Sequence, residues 1–171
     1  MYKIGIISPG KMGITLVKSL SGQHDLYCAL DGRSKETILN AERNGLKNSR
    51  TLNQLFNTCD IAFCIGTKGI AIETAKSAVD NKYAGIYVDF NTLFGEESEK
   101  ELYSLTESIN FVDGALFGWP INSEYSENQT KRKMILSGHY AENVSKMFNP
   151  NIWEISFVHK SAKRYRRLNL F

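Results

Sequence analysis

Long apolar runs, prolines and paired cysteines are all scarce in this 171-residue chain. The N-terminus passes almost at once into Ile4-Gly5-Ile6-Ile7. That run is too short for a signal peptide's apolar stretch and far short of the roughly 20 residues that span a bilayer, so no membrane role is expected and the cytoplasm is the expected compartment. Only three prolines occur, and 42% hydrophobic with 23% charged residues is the balance of a globular chain, which argues against a disordered or fibrous one. Cys28, Cys59 and Cys64 lie in or beside apolar segments without a C-x-x-C spacing. They are expected as buried free thiols, neither disulfide partners nor zinc ligands. His24, His139 and His159 fall in separate turn-like contexts with no i, i+4 pairing, and no metal is assigned.

Acid is absent from the last twelve residues, which hold Lys160, Lys163, Arg164, Arg166 and Arg167. Removing these five charges from the net +3 leaves −2 over residues 1–159, so the body is slightly acidic and the tail alone is basic. With only Tyr165 and Phe171 as aromatics and no recognition motif, the tail reads as a solvated or partner-facing helix, and nucleic acid is not the expected partner.

What is present is an alternation. Tyr2–Ser8 reads as a buried strand, Met12–Leu20 as a helix with Met12, Leu16 and Leu20 on one face, closed by Gly22. Leu26–Leu30 reads as the next strand, and Ser34 can cap a helix that runs to about Asn44 with Gly45 just past its end. A short strand around Leu46-Lys47, a helix over Leu52–Thr58 and a strand over Asp60–Gly66 follow. Next come a helix over Ile70–Val79, a strand over Gly85–Phe90, a helix over Glu96–Ser108 with acids in its first turn, and a strand over Asn110–Leu116. After the polar, turn-rich segment Phe117–Thr130, the pattern gives a strand over Lys133–Gly138, a helix over Ala141–Phe148 and a strand over Ile152–Phe157. Parallel strands joined by right-handed crossovers account for such alternation, so the expected class is α/β, a Rossmann-type doubly wound and mostly parallel sheet. Residues 1–158 are expected to form this one domain, of ordinary size, and 159–171 a basic C-terminal tail.

The turn after the first strand, Ser8-Pro9-Gly10-Lys11-Met12-Gly13, keeps the second and third glycines of G-x-G-x-x-G and has serine at the first. In that motif the second glycine lets a pyrophosphate approach the backbone at a helix N-terminus, and the third lets helix pack on strand. The first is the least costly to lose, provided Ser8 keeps ordinary strand-end angles. At the end of the second strand stands Asp31-Gly32-Arg33-Ser34-Lys35. An acid there favours a free ribose 2′-hydroxyl and an arginine a 2′-phosphate. Arg33, Ser34 and Lys35 form a candidate phosphate cradle, so NADP is favoured while Asp31 keeps NAD open.

"IGIISPGKMG", "DGRSKET", "CDIAFCIG", "YVDFNTL" and "FVDGALFGWP", in that order and spacing, resemble the NADP-binding domain of the 6-phosphogluconate and β-hydroxyacid dehydrogenase superfamily, within a phosphogluconate-dehydrogenase-like subgroup. The resemblance runs from about Tyr2 to Phe157. It implies Gly10, Lys11 and Met12 under the pyrophosphate, Arg33 and Ser34 at the 2′-phosphate, and Gly66 with Thr67 near the ribose. It also implies Asn91 near the nicotinamide, and Gly114 with Gly118 and Trp119 at the substrate pocket. Members of the superfamily carry a second, helical domain entered through a long helix that bears the catalytic lysine, and this chain ends about where that helix would begin. Lys163 is followed one turn later by Arg167 where asparagine is expected, so no catalytic residue is assigned. Two function classes stay open. One is an oxidoreductase domain that moves hydride to or from a small hydroxy acid or imine-like substrate. The other is an inactive dinucleotide-binding or protein-interaction module whose docking face is covered by a second copy or a partner.

Overall fold

The computed structural model describes residues 1–66, 69–93, 95–121, 131–159 and Ala162. Among them the elements run β1 (Lys3–Ile7), α1 (Lys11–Lys18), β2 (Asp25–Cys28), α2 (Lys35–Arg43), β3 (Lys47–Asn48), α3 (Leu52–Thr58) and β4 (Ile61–Cys64). They continue through α4 (Ile70–Asp80), β5 (Ile86–Asp89), α5 (Glu96–Thr106), β6 (Asn110–Phe117), β7 (Arg132–Ser137), α6 (Ala141–Ser145) and β8 (Trp153–Phe157). The strands form one sheet in the order β3-β2-β1-β4-β5-β6-β7-β8. From β3 through β6 every pair is parallel; β7 runs antiparallel to β6, and β8 parallel to β7. The order turns back at β1, the topological switch at which a doubly wound sheet opens a crevice between the carboxyl ends of β1 and β4.

The period-two pattern of the strands sends alternate side chains to two cores. Ile4, Ile6, Phe63, Val88 and Val112 join α1, α2 and α6 on one face through Leu16, Ala41 and Val144. Ile7, Ala62, Cys64 and Tyr87 join α3, α4 and α5 on the other through Leu55, Ala75 and Leu102. Three small residues, Ala71, Ala75 and Ala78, form the buried stripe of α4 and let it lie close to the sheet.

Helix ends show where local chemistry outweighs periodicity. Ser34 caps α2 by accepting a hydrogen bond from the Thr37 N–H at 3.2 Å, and Thr51 and Gln54 form a reciprocal capping box on α3. α1 stops at Lys18, short of the expected Leu20, because the Ser19 hydroxyl donates to the Leu16 carbonyl at 2.9 Å and Leu20 turns out to bridge Phe148. α6 is shorter than expected for a similar reason. Phe148 stacks on Phe63 with ring centroids 5.6 Å apart, and this core contact holds the apolar position after the helix has ended. The acidic first turn of α5, Glu96, Glu97 and Glu99, is as the sequence indicated. The three cysteines are buried and free. Among the described residues no helix is long and apolar enough to cross a membrane.

Candidate functional site

The turn between β1 and α1 is closed by a bond from the Gly10 N–H to the Ser8 carbonyl at 2.8 Å, and Asn40 of α2 donates to the Pro9 carbonyl at 2.9 Å. Ser8 has φ 65, so the condition under which the first glycine is cheap to lose, ordinary strand-end angles at Ser8, is not met. Position 8 holds the left-handed conformation for which glycine is the usual residue, and serine accepts it at a cost of about 1–2 kcal/mol. A Cβ on Gly13 would lie 2.9 Å from the Ser8 carbonyl oxygen, so this glycine is required by the packing of α1 on the end of β1. A Cβ on Gly10 would meet nothing within 4 Å. No protein atom demands glycine there; the space it leaves is open to a ligand. Gly10 is also the N-cap of α1 without a side-chain cap, and α1 has no acid in its first turn. The helix therefore presents uncapped N–H groups and the positive end of its dipole at the mouth of the crevice.

Two clefts meet here. One, of about 460 Å³, is lined by Ser8, Gly10, Met12 and Gly13 on one wall and by Phe90, Asn91, Thr92, Leu116 and Gly118 on the other, with Gly66 between. The second, of about 570 Å³, is lined by Ala29, Asp31, Gly32, Arg50, Thr51 and Thr74, among others. Arg33 and Ile70 line both, so the two adjoin along a trough over the carboxyl ends of β2, β1, β4 and β5. Arg33 reaches across it, Nη2 donating to Ser8 Oγ at 3.5 Å.

At the other end the polar groups are engaged with one another. Asn91 is 4% exposed; its Oδ1 accepts from the Gly66 N–H at 2.6 Å, and its Nδ2 donates to Asp89 Oδ2 at 2.8 Å and to Cys64 Sγ at 3.1 Å. The Asn91 N–H donates to Asp89 Oδ1 at 3.0 Å. Cys64, Asp89, Asp113 and Ser137 stand in register across β4, β5, β6 and β7, and the Tyr103 hydroxyl from α5 donates to Asp113 Oδ2 at 2.7 Å. Burial, with the nearby Asp89 carboxylate second, pushes the Cys64 thiol up to about 12, so it is an inert thiol at neutral pH. Arg132 of β7 donates from Nε to the Trp119 carbonyl at 2.7 Å, and Thr15 Oγ1 accepts from the Ile121 N–H at 2.9 Å, which fastens the segment after β6 beside α1. Burial lowers the Arg132 pKa below the usual guanidinium value.

The expected site residues thus separate. Ser8, Gly10, Met12, Gly13, Arg33, Gly66, Asn91 and Gly118 are brought together around the trough. Lys11, in the first turn of α1, and Lys35, in that of α2, are exposed and line neither cleft. The Ser34 hydroxyl is engaged in its capping bond and with Thr37 Oγ1 at 3.0 Å. Gly114 is not among the residues that line either cleft; it packs against Phe90, whose ring a Cβ at position 114 would meet at 2.4 Å. Trp119 is 53% exposed beyond the rim. Thr67, and the tail residues Lys160, Lys163, Arg164, Arg166 and Arg167, lie outside the described residues. Sequence reasoning missed Asn40 and Arg50, whose roles depend on contacts between separate turns. Only the positive φ of Arg50 marks it locally, and φ is not written in a sequence.

These features define the class: the chain has the fold of the dinucleotide-binding half of 3-hydroxyacid dehydrogenase-like proteins and imine reductases. A 28.5 kDa uncharacterised protein of Methanothermus fervidus is 31% identical over 140 residues, which is 81% of this chain and 51% of that protein. A conserved protein of unknown function, described as structurally similar to 3-hydroxyacid dehydrogenases, matches with a TM-score of 0.80 at 27% identity over 97% of this chain and 62% of its own. An imine reductase from Myxococcus stipitatus, in its V8 variant with NAD+, matches with a TM-score of 0.74 at 17% identity over 100% of this chain and 60% of its own. The same enzyme has also been solved with NADP+, at a TM-score of 0.69 and 15% identity over 97% of this chain and 59% of its own. The chain therefore spans about half the length of the curated relative and about three fifths of the solved chains. No family model matches.

Proposed function

We propose that residues 1–158 are the NADP(H)-binding domain of an oxidoreductase that transfers hydride to or from a small hydroxy acid or imine-like substrate, in the cytoplasm. The observation that carries this reading is Gly10. It is a glycine that no protein atom requires, at an uncapped helix N-terminus, beside a guanidinium that lines both halves of one trough. The residues fit a dinucleotide. The α1 N-terminus with Ser8, Gly10 and Met12 would hold the pyrophosphate, Arg33 the 2′-phosphate with Lys35 adding charge, and Gly66, held by Asn91, the floor near the ribose. The nicotinamide, when bound, supplies the hydride; the chain's part is to bind it and orient it. Gly118 and Trp119 would edge the substrate side. The nicotinamide dinucleotides bound to the structurally similar Myxococcus stipitatus imine reductase support the same reading. Residues 159–171 would form a basic extension toward a partner or a second copy of the chain.

The test is calorimetric titration of the chain with NADPH and NADH. NADPH is expected to bind at micromolar concentration and more tightly than NADH, and Arg33→Ala to weaken NADPH about tenfold while leaving NADH within about twofold. An equal loss for both would sink the 2′-phosphate role, and no binding of either would sink the dinucleotide reading.

A further inference from the structure

We propose that Arg50 is a second cation at the adenosine end of the trough and that it makes the site select a dinucleotide carrying a 2′-phosphate; this rests on the dinucleotide reading above. Arg50 precedes α3, in the loop after β3, and its backbone has φ 63, a conformation rare for any residue but glycine. Bonds on both sides hold it there. Its N–H donates to Asn48 Oδ1 at 2.7 Å, and its carbonyl accepts from the Asp31 N–H at 3.0 Å. Residue 50 is thereby fastened to the turn after β2, the turn that carries Asp31 and Arg33.

Its side chain lines the adenosine-side cleft with both of them, and its Nε lies 3.8 Å from Asp31 Oδ2. The pair is open to solvent, the side chains 71% and 48% exposed, so it adds little to folding and gives no structural reason for a strained arginine. At the site its effect is specific. Asp31 is the acid placed to accept a free 2′-hydroxyl and to repel a phosphate. A guanidinium beside it offsets that repulsion, and Arg33, on the other loop, lines the same cleft, so two cations and one acid face it. A ribose hydroxyl has no use for the second cation. A phosphate monoester, close to two negative charges at neutral pH, can take a charge-assisted hydrogen bond from each.

Arg50→Gly tests this cleanly, because glycine takes φ 63 without strain and the melting temperature should hold or rise. Titration of the variant is expected to show NADPH weakened about tenfold and NADH within about twofold, with Arg50→Lys recovering part of the loss. The NADPH affinity of the parent chain should also fall more steeply with added salt than that of the glycine variant. If the parent chain prefers NADPH and Arg50→Gly leaves that preference intact, or weakens both dinucleotides equally, the proposal is overturned while the dinucleotide reading stands. Failure of the parent chain to bind either dinucleotide overturns both.

Discussion

At the ends of β1, β2 and β3 the chain leaves polar groups facing outward, whereas at the ends of β4 and β5 it turns them on one another. On the first side stand an uncapped helix N-terminus, the Arg33 guanidinium and the exposed Asp31–Arg50 pair. On the second, every polar atom of the Asn91 side chain has a protein partner, and Asp89 is fully buried. Buried polar groups must be paired within the protein, while exposed ones are solvated until a ligand displaces the water. Substitutions on the exposed side should therefore act on binding with little change in stability, and those on the buried side should act on stability first.

The hardest blow to that contrast is Asn91→Leu. It strands the Gly66 N–H and takes a donor from the Asp89 carboxylate, in a site 4% exposed. At about 1–3 kcal/mol for each stranded group, the loss should be about 3 kcal/mol or more in urea unfolding. A loss below about 1 kcal/mol would mean that this end is not held by its own network, and the comparison would fail there.

A pair of glycine variants sharpens it next. Gly114→Ala places a methyl 2.4 Å from the Phe90 ring and should cost about 1–3 kcal/mol through overpacking, while NADPH binding by the folded fraction stays close to that of the parent. Gly10→Ala meets no atom within 4 Å and should change stability by less than about 0.5 kcal/mol, yet, on the proposed dinucleotide site, weaken NADPH at least tenfold, because the methyl would stand where a pyrophosphate would approach the backbone. Thermal melts read one effect and calorimetry the other. Two glycines with the same outcome in both assays would erase the distinction between a packing glycine and a ligand glycine.

How far the sequence reaches follows the same division. Strand and helix alternation, the caps at Ser34 and the crevice residues of the first turn are local patterns, and the elements lie within a few residues of where periodicity puts them. The reversal at β7 was not legible, because antiparallel pairing with β6 is a choice of partner and the strand reads the same in either direction. Asn91 could be picked out in its motif, but its network could not, since Gly66 and Cys64 lie about 25 residues away in sequence and meet it only once β4 and β5 pair. Gly114 shows the reverse limit: in sequence, a glycine within a strand looks the same whether it makes room for a ligand or for an aromatic ring, and the Phe90 ring that packs on it comes from the end of another strand.

The smallest expected effect concerns the residue whose backbone ran against expectation. Ser8 adopts φ 65 because the bond from the Gly10 N–H to its carbonyl closes the turn and α1 packs tightly against that same carbonyl at Gly13. On backbone grounds position 8 is a glycine site, so Ser8→Gly should gain about 1 kcal/mol in unfolding free energy. Serine nonetheless brings its hydroxyl within 3.5 Å of Arg33 Nη2. If that contact steadies the guanidinium on the exposed side of the trough, Ser8→Gly should be more stable than the parent and select NADPH over NADH about twofold less well. Ser8→Ala, which keeps the strain and loses the hydroxyl, should show the second change without the first. A glycine variant that gains stability and keeps its full selectivity would leave the hydroxyl without a part in binding, and a variant that gains none would mean that neighbouring turns, not residue 8, take up the strain.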